Sequence, residues 1–416
     1  MKTLTQKALA TAVATLFIAP AAFATNGTNM TGVGAQSVAM GGTGVAAYYG
    51  AENVIVNPAL IGKGTGTEFA FGGTLFKPNV KNNGLGPGNN AYETSDGDTY
   101  MIPAISLSSR INNNWSFGLG MYGTSGMGVD YGSSSNPNLF RAMTSLQIMR
   151  IVPTVSYNTA NAGIGFSPII QYGALDINYQ NMSGTVGSGM ASDLGMGYSV
   201  GGYYDVTKQF TIGATYTSAI DMKYKNQMNS TTGAASGFRV TGISDNLEQP
   251  AEIKVGAAYT MGNIMLTGDF KQIRWSEAKG YKDFSWEDQN VIALGLKYSG
   301  KGYWLGVGYN KADNPIKSLA AANMMAPGQY QNGAVNMFNN VFFPAITEQH
   351  FSFGGGYDIT KSVTIEGSVM YAPEVTNTVD TSSVSQAFSG GMYTGSSSNT
   401  TKHSQMAYTI QAKYKF

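Results

Sequence analysis

The last stretch of the chain, QMAYTIQAKYKF (residues 405–416), alternates between polar and apolar side chains. One face carries Met406, Tyr408, Ile410, Ala412, Tyr414 and Phe416, and the other carries Gln405, Thr409, Gln411, Lys413 and Lys415. Because successive side chains of a β-strand point to opposite sides, this pattern predicts a strand with one apolar and one polar face. We expect the apolar face to meet lipid, with Tyr414 and Phe416 in the aromatic girdle at the membrane interface.

The same period-two alternation recurs upstream. It covers residues 66–77, 98–110, 114–124, 143–158, 162–179, 193–205, 208–225, 250–261, 263–275, 288–299, 302–311, 347–358, 361–372 and 402–416. These are about fourteen strands, an even number, as in closed bacterial barrels. Closure is required because an open edge would leave unpaired backbone groups in lipid.

Short and long connections alternate between these strands. The short ones lie at residues 111–113, 158–161, 205–208, 261–263, 299–301 and 358–361. The long ones lie near residues 78–97, 125–142, 180–192, 226–249, 276–287, 312–346 and 373–401. Outer-membrane barrels have short periplasmic turns and long extracellular loops. The sequence therefore predicts an all-β fold, a fourteen-stranded antiparallel transmembrane β-barrel.

Composition and the first residues agree with an exported membrane barrel. Charged residues make up only 12% of the chain, there are 54 glycines and no cysteines, and the mean hydropathy is −0.11. Lys2 and Lys7 precede an apolar run that ends at Ala22-Phe23-Ala24, which is the pattern of a secretory signal peptide. We therefore expect residues 1–24 to be a cleaved signal peptide and the protein to lie in the outer membrane of a Gram-negative bacterium.

About forty residues separate the expected cleavage site from the first strand. They are rich in Gly and Ala, include the pair Gly41-Gly42, and close on Asn57-Pro58-Ala59. A barrel of this size has a lumen too wide for its own side chains to fill. We expect residues 25–64 to form a plug inside a barrel of residues 65–416; a flexible leader without a role is the alternative.

Three stretches carry a resemblance to a known family. GTNMTGVGAQSVAMGGTGVAAYYGAENVIVNPAL (residues 27–60) resembles the N-terminal hatch of the long-chain fatty acid transporter (FadL) family, which includes channels for toluene and related hydrocarbons. NNNWSFGLGMYG (residues 112–123) and FFPAITEQHFSFGGGYDITKSVTIEGSVMYAP (residues 342–373) resemble two of its hairpins. The resemblance implies an outer-membrane transporter for hydrophobic small molecules, long-chain fatty acids first. It implies capture by the loops, a lumenal pocket, passage controlled by the hatch (residues 25–64) and lateral exit at a kink in the third strand, all by passive diffusion.

The sequence offers candidates for capture and exit. The loop of residues 312–346 is unusually apolar, with Met324, Met325, Met337, Phe338, Phe342 and Phe343. These side chains either bind apolar ligands or pack the loops into a cap. For the kink, Gly120, Gly123, Gly126 and Gly128 follow one another in and after the third strand, where glycine often marks a bulge. An ordinary approach to a loop is the alternative.

The candidate pocket lies on the fourth strand, where Leu146, Ile148, Arg150 and Val152 share one face. A charged residue at mid-wall faces the lumen, so these apolar side chains would surround a guanidinium that suits a carboxylate. Asp269 and Lys271 share a lumenal face by the same argument. These charges either contact a ligand or pair with one another and anchor the hatch.

Other functions are less well supported. His350 and His403 are the only histidines, and no nucleophile elbow accompanies them, so we expect no enzyme activity, no cofactor and no metal. We expect no nucleic-acid partner because there is no basic patch. A general porin for small polar solutes remains the main rival, and an adhesin or receptor barrel is a third possibility. Expected partners are a hydrophobic ligand, outer-membrane lipid and lipopolysaccharide, and the barrel-assembly machinery. The terminal Phe416 resembles the signal that this machinery recognises. We expect a monomer.

Overall fold

The computed structural model describes residues 25–86, 91–233, 236 and 238–416. The expected signal peptide, residues 1–24, lies outside the described residues. Fourteen strands form the wall. They are β1 Thr67–Asn82, β2 Tyr100–Arg110, β3 Trp115–Asp130, β4 Met143–Asn158, β5 Ala162–Asn181, β6 Ala191–Asp205, β7 Phe210–Thr217, β8 Glu252–Met261, β9 Ile264–Ile273, β10 Gln289–Gly300, β11 Tyr303–Ala312, β12 Gln349–Asp358, β13 Val363–Asp380 and β14 Ser398–Lys415.

Each strand pairs antiparallel with the next, and β14 pairs with β1 from Thr401 opposite Asn82 to Lys415 opposite Glu68. This last pairing closes the barrel and confirms the predicted fold class. The face assignment of β14 also agrees: Ile410 is 67% exposed, whereas Gln411 is buried at 3%. Apolar side chains thus cover the outside of the wall, and polar ones point into the lumen.

The six short turns and seven long loops alternate as predicted, but several strand ends differ. β1 and β13 extend beyond the predicted ends, to Asn82 and Asp380, because their polar-apolar alternation continues into the loops. β7 ends at Thr217 rather than near residue 225. The alternating residues Ile220 and Met222 instead pack inside the barrel against Gly195 of β6.

The loops carry most of the helices. α1 (Ala35–Ala39) and α2 (Asn53–Val56) belong to the N-terminal segment, and a 3-10 helix follows at Pro58–Lys63. α3 (Met228–Thr232), α4 (Gln329–Phe342) and α5 (Ser382–Phe388) lie in long loops. Among the described residues, no helix has the length and hydropathy needed to cross a membrane.

Candidate functional site

Residues 25–63 are almost entirely buried, and they bond to strands on every side of the barrel. Ser352 of β12 donates to the carbonyl of Ala39 at 3.0 Å. On the opposite side, Asp269 of β9 accepts from the backbone N–H groups of Gly44 at 2.8 Å and Val45 at 3.0 Å. Contacts in all directions place this segment inside the lumen.

The segment lies directly against the wall where the wall carries glycine. A β-carbon added at Gly213 of β7 would lie 2.3 Å from the carbonyl oxygen of Val45. One added at Gly308 of β11 would lie 2.0 Å from the backbone nitrogen of Gly41. Only glycine, which has no β-carbon, fits at these two positions. The backbone of the segment is therefore in direct contact with the backbone of the wall at both places.

The motif Asn57-Pro58-Ala59 ends the segment in a capped turn. The Asn57 side chain accepts from the N–H of Ala59 at 3.1 Å and donates to the carbonyl of Val45 at 2.6 Å. Pro58 occupies the first position of the 3-10 helix, where its missing N–H is not needed. Asn158 of β4 donates to the carbonyl of Ala59 at 2.9 Å, which attaches the turn to the wall.

A buried cation holds the middle of the segment. Nζ of Lys413 in β14 lies 2.9 Å from Oε1 of Glu52 and 2.9 Å from Oε2 of Glu366, and it donates to the carbonyl of Tyr49 at 2.6 Å. Burial raises the pKa of the Glu52 carboxyl to about 7; Lys413 opposes this rise and Glu366 adds to it. Burial of such charges is tolerable only with partners this close.

A cavity of about 80 Å³ lies between the first part of the segment and the wall. Residues 29–33, which we call the arm, form one side. The other side carries five charged side chains, namely Arg150, Glu252, Lys254, Asp269 and Lys271. The cavity wall therefore carries three cationic and two anionic side chains.

Within the cavity, the charges are only partly satisfied by one another. Nζ of Lys254 lies 2.9 Å from Oε2 of Glu252. Nε of Arg150 donates to Oε1 of Gln171 at 2.9 Å. Oδ1 of Asn29 and Oγ1 of Thr124, both on the cavity wall, have no hydrogen-bond partner among the described residues. Buried polar atoms of this kind are normally hydrogen-bonded, so the cavity can accept a polar group.

The predicted pocket residues divide into two pairs. Arg150 and Val152 line the cavity. Leu146 and Ile148 are buried further along β4, in a hydrophobic cluster that runs from Val152 to the aromatic side chains of the loops. Lys271 and Asp269 line the cavity as well, and Asp269 also anchors the hatch backbone. The bonds of Asp269 to Gly44 and Val45 agree with the interpretation that these charges anchor the hatch.

Sequence reasoning did not single out Glu252, Lys254 or Asn29. Glu252 and Lys254 alternate with apolar residues at the start of β8, in the stretch EIKVGAAY. Two charges on the lumenal face of one strand were therefore a detectable signal. Asn29 was not detectable, because its role depends on how the arm folds.

The glycines of β3 lie on both sides of an irregularity. β2 pairs with β3 only as far as Ala104 opposite Tyr122. The pairing of β3 with β4 shifts register between Gly123 and Ser125. Gly120 precedes the shift, whereas Gly126 and Gly128 follow it. Beyond the shift β3 turns toward the arm instead of β2.

The arm adjoins this displaced part of β3. Ser125 pairs with Asn29, and its hydroxyl donates to the carbonyl of Thr28 at 2.9 Å. Gly126 donates its N–H to the same carbonyl at 3.0 Å. β3 thus exchanges its neighbour in the wall for the N-terminal segment.

The capture candidates also divide. Met337, Phe338, Phe342 and Phe343 are buried in and after α4. Phe338 stacks on Phe284 with ring centroids 4.3 Å apart. Met325 is 80% exposed, and Met324 is partly exposed. The four buried residues therefore form a cap over the barrel, and the two methionines are the ones available at the surface.

No cluster of three or more His, Cys, Asp or Glu side chains suited to a metal ion occurs among the described residues. His350 and His403 are buried on β12 and β14. His403 Nδ1 lies 2.8 Å from the carbonyl oxygen of Pro344.

Comparisons with known proteins agree with this architecture. The family model described as outer membrane protein transport protein (OMPP1/FadL/TodX) matches residues 11–416. The crystal structure of a FadL homologue from Pseudomonas aeruginosa is similar, with a TM-score of 0.70, 14% identity, and coverage of 94% of this chain and 100% of that chain. The toluene transporter TodX of P. putida is similar with a TM-score of 0.65 and 18% identity, covering 93% and 99% of the two chains.

One curated relative matches over a shorter stretch. An uncharacterized protein of Chlorobium limicola, from the 5′ region of a phosphoenolpyruvate carboxykinase gene, is 45% identical over 87 residues. The match covers 19% of this chain and 42% of that protein, so the chain covers less than half of its relative's length.

Proposed function

The chain belongs to the OMPP1/FadL/TodX family of outer membrane transport proteins, and from this premise we propose that it carries hydrophobic small molecules with a carboxylate head, long-chain fatty acids first, by passive diffusion. Proteins of this family are transport channels rather than enzymes. The observation that carries the proposal is the cavity in which Arg150, Lys254 and Lys271 face the arm.

A carboxylate is the group that this cavity suits best. Arg150 is 7% and Lys271 9% exposed, so both cations act in a region of low dielectric constant where charge pairs are strong. The guanidinium of Arg150 uses Nε for Gln171, which leaves its terminal nitrogens for a bidentate contact. A neutral hydrocarbon would gain no ionic contact from these cations.

The hydrophobic tail would follow the continuous apolar cluster. Val152 and Ile169 line the cavity and belong to the same cluster as Phe338 and Phe342 of α4. A cavity of about 80 Å³ holds a head group but not a long acyl chain. The tail must therefore displace side chains of this cluster, which requires the loops or the arm to move.

The route has four stages. Met324 and Met325 take up the ligand from the outside, the cavity holds it, and the hatch limits passage toward the periplasm. The ligand leaves sideways between β2 and β3, where their pairing ends at Ala104 and Tyr122. The end of strand pairing and the position of Gly123 at the register shift support this exit.

Displacement of a bound fluorescent long-chain fatty acid tests the proposal. Competitors are oleate, an alkane and xylene, and the protein is purified wild type or Arg150→Ala. We expect oleate to compete, with affinity about tenfold lower in Arg150→Ala because one charge-assisted contact is lost. Arg110→Ala is the control, since Arg110 is exposed, lies outside the cavity, and among the described residues donates only to the backbone carbonyls of Gly64, Asn112 and Asn113.

An aromatic hydrocarbon channel is the second candidate, and it is favoured by the likeness to a solved toluene transporter. Competition by xylene that does not depend on Arg150 would support it. If the fluorescent fatty acid itself does not bind, so that there is nothing for the competitors to displace, hydrophobic cargo is excluded. The general porin then becomes the better account.

A further inference from the structure

Glu252 is an anion in the middle of a cationic site. It begins β8, is 6% exposed, and lines the cavity together with Arg150 and Lys271. Its Oε2 lies 2.9 Å from Nζ of Lys254. A carboxylate of the protein itself thus lies among the cations that we assign to the ligand's head group.

The second oxygen of Glu252 holds the arm. Nδ2 of Asn29 donates to Oε1 of Glu252 at 2.8 Å. Asn29 in turn pairs with Ser125 of β3, just past the register shift. Glu252 therefore connects the cationic site to the arm. The arm is the segment that contacts β3 beyond the point where β3 stops pairing with β2.

We propose that Glu252 is an internal surrogate for the ligand's carboxylate, which the ligand displaces from Lys254 and thereby from Asn29, so that the arm is released from β8. This inference rests on the proposed function, because it requires a ligand with an anionic head. It makes Glu252 a specificity-determining residue: only an anion competes with it, so only an anionic ligand frees the arm.

The physical argument is that a ligand carboxylate bound to Lys254 would lie close to the carboxylate of Glu252. Like charges in a region of low dielectric constant repel strongly, so an entering anion drives Glu252 to another rotamer. A hydrogen bond to an ionised acceptor is about twice as strong as a neutral one, so Asn29 loses its best partner when Glu252 moves. The rest of the hatch stays in place, because its bonds to Asp269 and Lys413 do not involve Glu252.

Hydrogen exchange of the wild-type protein tests the release directly. We expect oleate to increase amide exchange in peptides that cover residues 26–33, and methyl oleate, which lacks the charge, to bind without this increase. Exchange in residues 41–59 should not change with either. Protection of residues 26–33 that is the same with both ligands would overturn the inference.

A charge-neutral variant tests the competition. In Glu252→Gln the cation of Lys254 loses its internal partner, so we expect oleate to bind about tenfold more tightly and methyl oleate to bind as before. Glu68→Gln is the matched control: Glu68 is also a buried wall glutamate that accepts from a hatch N–H, that of Ala51 at 2.7 Å, but it lies outside the cavity. Circular dichroism checks that both variants fold.

The outcomes separate the two proposals. Oleate binding that is unchanged or weaker in Glu252→Gln overturns the surrogate role, whereas oleate binding to wild type still supports the proposed function. If wild type binds neither oleate nor methyl oleate, the proposed function itself fails. If Glu252→Gln does not fold, the wild-type exchange experiment decides the inference alone.

Discussion

Lys413, in the last strand of the barrel, lies 2.9 Å from Glu52 of the N-terminal segment, so the two ends of the chain meet inside the lumen. The pair is buried, and Glu366 of β13 shares the same cation. This one side chain therefore links the strand that closes the barrel to the hatch.

Replacing Lys413 should destabilise the protein strongly. Lys413→Met leaves Glu52 and Glu366 buried without their cation, which we expect to cost about 3–5 kcal/mol in the free energy of unfolding. Lys415→Met is the control, because the Lys415 side chain is 62% exposed. Urea unfolding in detergent, followed by tryptophan fluorescence, measures the free energy of unfolding of both variants. A loss below about 1 kcal/mol in Lys413→Met would show that Lys413 does not hold Glu52 and Glu366 in place.

The contact between hatch and wall should not tolerate a side chain at Gly213. Gly213→Ala places a β-carbon 2.3 Å from the Val45 carbonyl oxygen, so we expect a loss of about 1–3 kcal/mol. Gly202→Ala, on the neighbouring strand, has its nearest atom at 3.5 Å and should be nearly neutral. Equal melting temperatures for the two variants would show that the hatch is not held against β7.

The loop cap should respond differently from the exposed methionines. Phe338→Ala removes a buried ring that stacks on Phe284 and Phe342, and we expect it to cost about 3–5 kcal/mol. Met325 is 80% exposed, so Met325→Ala should stay within about 0.5 kcal/mol of wild type. Thermal unfolding distinguishes them, and a neutral Phe338→Ala would show that the cap is not packed.

Ion conductance separates the hatch account from a general porin. We expect the intact protein to show no steady conductance in planar bilayers, because residues 25–63 fill the lumen. A variant that lacks residues 26–63 should conduct, since a barrel of this size leaves an aqueous channel when empty. A large open conductance of the intact protein would favour the porin instead.

The sequence predicted the barrel well because each strand carries its own evidence. Side-chain alternation is local to each strand, as in β14, and the short turns between strands are also local signals. The prediction from alternation was wrong for the end of β7. Ile220 and Met222 alternate with polar residues, but they pack inside the barrel rather than extend β7. Pattern alone cannot tell a wall strand from an inner layer.

The candidate site was only half predictable for a related reason. Arg150 was found because a charge in the wall must face the lumen. Its neighbours Glu252 and Lys254 lie on β8, about a hundred residues away in sequence, and only closure of the barrel brings them together. The contact of Asn29 with Glu252 depends on the path of the arm, which no periodicity encodes.

The charge state of bound oleate tests the central claim most directly. Oleate labelled with carbon-13 at its carboxyl carbon reports its ionisation by NMR as pH is varied. We predict that oleate bound to wild type stays ionised at lower pH than oleate in detergent alone, because Arg150, Lys254 and Lys271 favour the charged form, and that Arg150→Ala reduces this difference. A bound carboxyl that titrates as it does in detergent would place the head group away from these cations and contradict the account.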